Sequence, residues 1–292
     1  MGENHQFLKV VKKMVTKASK ITFQGELGAY SHQACVEAFP DAQVVACKTF
    51  ESAIATVKRG DADLAMLPVE NSTYGRVADM HYLLPESGLH IIGEHFVRVH
   101  INLMGVPGAK LSAITSAKSH TVLLGQCRKF LNENNILPVV GVDTAGSAQE
   151  VAAAGDPSMG ALAGDLAAEI YGLDVLAHHI EDNQNNTTRF LVMSSEPQIA
   201  KQSQDELITT FVFRVRNIPA ALYKALGGFA TNGVNMVKLE SYMGGAFTAT
   251  EFYADIVGHP DDPAVKRAFE ELAYFTDNLE ILGVYKADQS RS

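Results

Sequence analysis

Residues 21–69 read ITFQGELGAYSHQACVEAFPDAQVVACKTFESAIATVKRGDADLAMLPV, and the order of patterns within them decides the fold. Residues 21–23 are strand-like and stop at Gly25, 30–39 look helical, 43–46 form a second strand, 49–59 a helix stopped by Gly60, and 64–69 another apolar run. Strand and helix in alternation argue for α/β units with mostly parallel sheets. The alternation resumes beyond Ile114: the spacing predicts a helix over about 119–134, a strand over 137–142, a helix over 147–154, a strand over 160–163 and a helix running to Gly172. Between the two blocks, 89–106 is rich in β-formers and too long for one ordinary strand, so it reads as a crossing from one α/β unit to the next. Residues 175–193 read as the return crossing.

The composition shifts after Met193. Residues 194–206, SSEPQIAKQSQDE, are polar, contain Pro197 and lack periodicity, which marks a linker. Beyond it, Leu207, Thr209, Phe211, Phe213 and Val215 alternate as one strand face. Pro219 sits where a first helical residue belongs, and Leu222, Ala225, Leu226 and Phe229 make an apolar helical stripe ended by Gly233. Strands over 234–243 and 247–257 follow, joined by a Gly244-Gly245 turn. Asp262 reads as an N-cap with Pro263 at the first helical position; Val265, Phe269, Leu272 and Phe275 recur at helical spacing before a last strand over 279–285. The order β-α-β-β-α-β is the ferredoxin-like arrangement, a separate domain with its own core.

Composition excludes several classes. The chain has 292 residues, 47% hydrophobic and 20% charged, which is enough to build sizeable cores. Its formal charge of −9 has the wrong sign for a nucleic-acid or anionic-membrane binder, so an anionic ligand must be held by local donors. Cys35, Cys47 and Cys127 are scattered, without a C-x-x-C pair, and read as buried thiols of a reducing cytoplasm. No apolar run approaches a membrane span, and none near the start resembles a signal-peptide core. Residues 1–20, with Lys9, Lys12, Lys13, Lys17 and Lys20, read as a basic tail. His178-His179 and the His95, His100 pair lack partners at metal-ligand spacing.

Three segments carry polar chemistry. Gly25 to Ser31 follows a strand and opens a helix, so backbone N–H groups and the Ser31 hydroxyl can face an anion; the bland alternative is a turn that requires two glycines. Asn71, Ser72 and Thr73 stand at the carboxyl end of an apolar run, where ligands sit in open α/β sheets, although Asn71 or Ser72 could equally cap a helix. In 182–190, DNQNNTTRF, four amides and Arg189 run into a strand, and Arg189 offers a bidentate fork for a carboxylate.

At these segments the chain resembles the prephenate dehydratase family with a C-terminal ACT regulatory domain. The matching stretches are GELGAYSHQA, LPVENSTYG, SHTVLLGQC, DTAGSAQEVA, LAGDLAAEIYGLDVL and DNQNNTTRFLVM, in the family's order across about 21–286. In SHTVLLGQC, Thr121-Val122 replace the frequent Pro-Gln, leaving Gln126 as that segment's contact. Beyond the basic tail over 1–20, the resemblance implies a catalytic region over 21–196 of two α/β lobes like a periplasmic binding protein, the second lobe about 103–180. A linker over 197–206, an ACT domain over 207–286 and a tail over 287–292 complete the expected organisation.

It further implies decarboxylating dehydration of prephenate to phenylpyruvate in phenylalanine biosynthesis, in the cytoplasm and with no cofactor, because aromatisation of the ring supplies the driving force. Thr188 is then the donor toward the leaving hydroxyl, Ser31, Asn71, Ser72, Thr73 and Gln126 are substrate contacts, and Phe190 packs beneath the site. Gripping the departing carboxylate would stabilise the ground state, so Arg189 is expected on the retained one. The ACT domain implies phenylalanine as effector near Asn217, Ala221, Leu222, Asn235 and Ser241, in a homodimer or homotetramer. Ala220 replaces the family's common glycine and Tyr242-Met243 replace Arg-Pro. Arogenate dehydratase and a non-catalytic small-molecule sensor are the competing readings.

Overall fold

The computed structural model describes residues 19–202, 205–243 and 249–291. The tail over 1–18, the Gly244-Gly245 turn and the side chains of Tyr242 and Met243 lie outside the described residues. In chain order the elements are β1 (Lys20–Gln24), α1 (Tyr30–Ala38), β2 (Gln43–Cys47), α2 (Phe50–Lys58), β3 (Leu64–Asn71), β4 (Gly75–Arg76), α3 (Ala78–Glu86), β5 (His90–Arg98) and β6 (Asn102–Gly105). Next come β7 (Ser116–Ser119), α4 (Thr121–Gln126), α5 (Arg128–Glu133), β8 (Leu137–Val140), α6 (Thr144–Ala154), β9 (Met159–Ala163), α7 (Asp165–Tyr171), β10 (Asp174–Ala177) and β11 (Thr187–Ser194). The chain ends with β12 (Leu207–Val215), α8 (Ala221–Thr231), β13 (Met236–Met243), β14 (Ala249–Val257), α9 (Pro263–Phe275) and β15 (Thr276–Lys286).

These elements form two compact units. One takes in the chain up to Val77 with Phe96–Phe190; the other takes in Ala78–His95 and the residues from Leu191 onward. The first unit holds two lobes. In the N-terminal lobe β1 pairs in parallel with β2 and β3, and β11 lies on the far side of β3. The other lobe has a five-stranded sheet in the order β10-β6-β9-β7-β8. Both sheets share one order, in which the first strand is flanked by the second and third and the strand arriving from the other lobe lies beyond the third. The crossings make this order: β5 leads out of the first lobe and β11 returns to it, a two-lobed arrangement of the periplasmic-binding-protein kind.

Local chemistry starts and stops the helices. Thr49 and Ser52 form a reciprocal capping box at α2. Asp143 caps α6 by accepting from the N–H of Gly146, and Gly155 ends it in the left-handed conformation. The second lobe buries Leu103, Ile114, Leu124, Leu131 and Leu162 in one cluster and Met104, Val151, Ala161 and Ala167 in another.

Three expectations change here, and one helix is unanticipated. The helix predicted over 119–134 is two short helices. Ser119 ends β7, its hydroxyl donating to the Leu162 carbonyl at 2.8 Å, and His120 caps α4. The chain leaves helical geometry at Cys127 (φ −118°, ψ 20°), which frees the Gln126 carbonyl to accept from the N–H of Asp182 at 2.6 Å. The helix-cap alternative for Asn71 and Ser72 gives way to a hairpin between β3 and β4, with Asn71 opposite Gly75. Helix α3 had no sequence signal: Pro85 lies in its last turn, and Met80, His81 and Leu84 are its only buried residues. Pro219 stands outside its helix, which starts at Ala221.

The second unit contains the βαββαβ module. Its strands lie in the order β13-β14-β12-β15, with β12 antiparallel to both neighbours, which is the ferredoxin-like topology. Phe211, Phe213, Phe229, Phe252, Val265 and Leu272 fill the core between this sheet and its two helices. Pro263 opens α9 as predicted, but the Asp262 side chain before it makes no capping bond and accepts from the His259 N–H instead. The one-sided alternation predicted for β12 fails, because every residue of that strand except Arg214 is buried. On the neighbouring strand β14, Tyr253 faces away from that core and lies against His81 of α3 with ring centroids 5.5 Å apart. On β15, a Cβ at Gly283 would collide with the Ile91 carbonyl of β5, so only glycine allows that pairing.

Candidate active site

The ends of β3 and β11 and the end of α4 meet in the first unit. The Ser72 N–H donates to the Thr187 carbonyl at 2.9 Å, fixing β3 beside β11. Successive strand residues face opposite ways, so Asn71 and Thr188 share one face while Glu70 and Arg189 share the other. Contacts agree: Asn71 Nδ2 donates to Thr188 Oγ1 at 2.9 Å, and Arg189 Nη1 donates to Glu70 Oε1 at 2.8 Å.

The amide orientations follow from backbone anchors. Asn71 Oδ1 accepts from the N–H groups of Thr73 at 2.9 Å and Tyr74 at 3.0 Å, so its other end is the donor. Asn71 Nδ2 then donates to Asn186 Oδ1 at 2.7 Å as well as to Thr188. Asn186 is left with a donor, and its Nδ2 reaches Gln126 Oε1 at 3.0 Å. Gln126 in turn is left with Nε2, which has no partner among the described residues. The Thr188 oxygen has spent a lone pair on Asn71, so its proton is available to donate elsewhere. This chain of amides runs from the first lobe to the second, ending on a free donor at one end and a primed hydroxyl at the other.

Other expected contacts sit differently. Both bonds of the Ser72 hydroxyl go to backbone: it donates to the Asn185 carbonyl at 2.6 Å and accepts from the Thr187 N–H at 2.9 Å. The ligand contact expected of Ser72 is therefore replaced by a clasp between strands. Thr73 lies on the exposed turn, where Oγ1 accepts from Asn183 Nδ2 at 3.4 Å. Arg189 is 2% exposed, so the carboxylate it grips is the protein's own and not a ligand's. Phe190 is buried at 1%. Asn186, at 2% exposure, was missed as an individual residue, although it belongs to the amide-rich segment.

The Gly25–Ser31 loop serves two ends. Gly28 has φ +89° and a Cβ there would meet Ala167 Cα at 2.9 Å, so this glycine brings the loop against α7 of the other lobe. Tyr171 donates to the Leu27 carbonyl at 2.7 Å and Tyr30 to the His100 carbonyl at 2.8 Å, tying the lobes beside it. The Gly28 N–H donates to His32 Nδ1 at 3.0 Å, which removes it from any anion cradle. That bond fixes the His32 proton on Nε2, and burial holds the imidazole below its ordinary value near 6.5. Ser31 is 8% exposed at the second position of α1. Burial pushes the thiols of Cys35 and Cys127 far up, which makes both poor nucleophiles.

In the second unit Asn217, Asn235 and Ser241 are exposed, whereas Ala221 is buried and Leu222 packs against the same core. Ala220, just before α8, has φ 61° and ψ 16°, a left-handed conformation that explains why a glycine suits this position. Among the described residues no group of three or more His, Cys, Asp or Glu could hold a metal ion, and no helix is long and apolar enough to cross a membrane.

Two α/β lobes with a hydrogen-bonded polar seam at their join, carried with a ferredoxin-like module, define a two-lobed α/β protein with an appended βαββαβ domain. Comparison with known proteins narrows the class. Residues 21–198 match the family described as prephenate dehydratase. The chain is 48% identical, over 93% of its length and 97% of the relative's, to a bifunctional N-acyl-homoserine lactone acylase/prephenate dehydratase of Komagataeibacter europaeus. It is 37% identical to arogenate dehydratase/prephenate dehydratase 1 of Arabidopsis thaliana, over 93% of this chain and 73% of that one. The crystal structure of an Arthrobacter aurescens prephenate dehydratase in complex with L-Phe superposes with a TM-score of 0.83 at 31% identity, covering 92% of this chain and 90% of that one. The chain belongs to the prephenate dehydratase family.

Proposed function

We propose that the protein converts prephenate to phenylpyruvate, carbon dioxide and water, and that phenylalanine bound at the ferredoxin-like ACT module inhibits it. The observation that carries the reading is the Thr188 hydroxyl, which accepts from Asn71 Nδ2 at 2.9 Å and so retains its own proton to donate. As the ring C–C bond to the departing carboxylate breaks, its electron pair enters the ring and expels the hydroxyl at the opposite carbon. Thr188 donates a hydrogen bond to that leaving oxygen, which departs as hydroxide and takes a proton from solvent to become water, while Asn71 Nδ2 stabilises the partial charge that builds on Oγ1. A donor whose bond strengthens as charge develops contributes about 10²–10³ in kcat. Gln126 Nε2 and the turn at Thr73 are assigned to substrate polar groups. Arg189 is a buried positive charge behind the strand, positioned by Glu70, and Phe190 supports the site from within the core.

No cofactor enters this chemistry, since aromatisation drives it. We place the enzyme in the cytoplasm as a homodimer or homotetramer, with a catalytic region over 21–196 and the effector bound near Asn217, Ala221, Leu222, Asn235 and Ser241. The effector assignment draws on the Arthrobacter relative seen with L-Phe.

Arogenate, which carries an amine on the retained arm, is the second reading, favoured by the plant relatives. Measuring kcat/KM on prephenate, arogenate and an N-acyl-homoserine lactone decides among them. The proposal expects prephenate to lead by at least tenfold. A lead for arogenate or for the lactone would replace it, and inactivity on all three with retained phenylalanine binding would favour a sensor.

A further inference from the structure

Asn186 carries no assigned role, yet three segments of the first unit meet on it. Its Oδ1 accepts from Asn71 Nδ2 at 2.7 Å, its Nδ2 donates to Gln126 Oε1 at 3.0 Å, and its carbonyl accepts from the Val99 N–H at 2.9 Å. Asn71 comes from the first lobe, Gln126 from the second, and Val99 from the outgoing crossing beside it. At 2% exposure water cannot replace these partners.

Each end of this amide acts on a different neighbour. Asn71 Oδ1 is already anchored by the Thr73 and Tyr74 N–H groups; the acceptor end of Asn186 adds a third hold by taking one hydrogen of Asn71 Nδ2, which directs the other to Thr188 Oγ1. The donor end holds Gln126 with its oxygen inward and Nε2 outward. A flipped Gln126 would present a carbonyl oxygen where an anionic ligand needs an N–H.

We infer that Asn186 is a positioning residue with two separable outputs: through Asn71 it aims the Thr188 hydroxyl, and through Gln126 it keeps a donor facing the substrate. This deepens the function proposed above and rests on it. The second output also links substrate affinity to the second lobe, because Gln126 belongs to α4.

The two ends can be removed one at a time. Asn186→Ala deletes both. Asn186→Asp keeps the acceptor for Asn71; its carboxyl mimics the amide while protonated, and when ionised it forces Gln126 to turn Nε2 inward. Kinetics on the substrate preferred by the wild type, from pH 6 to pH 9 with the uncatalysed loss subtracted, should show a split. For Asn186→Ala, kcat falls at least tenfold. For Asn186→Asp, kcat stays within threefold of wild type at each pH, while KM rises at least fivefold more than wild type's across the range.

If kcat of Asn186→Ala lies within twofold of wild type, or if both variants lose kcat and KM together in step with Tm, the inference is overturned. Thermal melts of the same proteins need no substrate. Burial raises the introduced carboxyl's folded pKa, so its contribution is present at low pH and lost as pH rises; the Tm of Asn186→Asp should fall relative to wild type toward pH 9. A pH-independent Tm difference would contradict the bonding itself. An inactive wild type would defeat the proposed function while leaving this bonding test in force.

Discussion

A guanidinium that is 2% exposed and held at 2.8 Å by Glu70 is poorly suited to gripping a ligand that comes and goes. Removing Glu70 takes a carboxylate away from this buried charge, so Glu70→Ala is expected to lose about 1–3 kcal/mol, read as a lower urea midpoint. An unchanged midpoint would show that the pair contributes nothing. His32 gives a pH signature of its own. Its folded pKa is depressed, so its contribution is complete above pH 6.5 and is lost as pH falls below that value. Between pH 7.5 and pH 5.5 wild-type Tm should drop more than that of His32→Gln; parallel curves would reject the assignment. The motif residues Asn71 and Thr188 are legible from the chain, and so in principle is the error over Arg189. Neighbouring strand residues face opposite ways, so Thr188 and Arg189 cannot both address one ligand. The Ser72 clasp is a different matter, because it depends on which backbone the returning strand brings alongside.

At the scale of elements, alternating apolar runs locate β1 to β3 and α2 within a residue or two, because their periodicity and capping are local. The break at Cys127 is not local: it exists because the returning segment needs the Gln126 carbonyl. The same holds for β12, which is buried on both faces although the core it shares with α8 and α9 lies on only one. The start of α8 offers a stability test. An alanine at φ 61° carries a strain that glycine does not, so Ala220→Gly should stabilise the C-terminal module by about 0.5–1 kcal/mol. A lower Tm in that variant would place the strain elsewhere. On β15, Gly283→Ala should destabilise by about 2 kcal/mol or more, since the Ile91 backbone cannot give way as a flexible side chain could.

For the whole molecule, composition already excludes nucleic acid, and the charge of −9 now acquires a kinetic meaning. The proposed substrate, prephenate, is a dianion, so the overall field opposes its approach; with Arg189 paired to Glu70, the proposal assigns its binding to neutral donors such as Gln126. Raising ionic strength from 20 to 200 mM should therefore increase kcat/KM, by roughly twofold, as repulsion is screened. A decrease would reveal a local positive field that outweighs the net charge. The division of labour between a two-lobed region and a ferredoxin-like module is legible in the sequence, because each buries its own periodic core. The seam joining the lobes is not, since its partners lie 60 to 117 residues apart. The most direct test is phenylpyruvate formation from prephenate by the wild type beside Thr188→Ala. Turnover by the wild type is expected, with a loss of about 10²–10³ in kcat for the folded variant and KM within a few-fold. No phenylpyruvate from the wild type, or equal kcat in the two proteins, would contradict it.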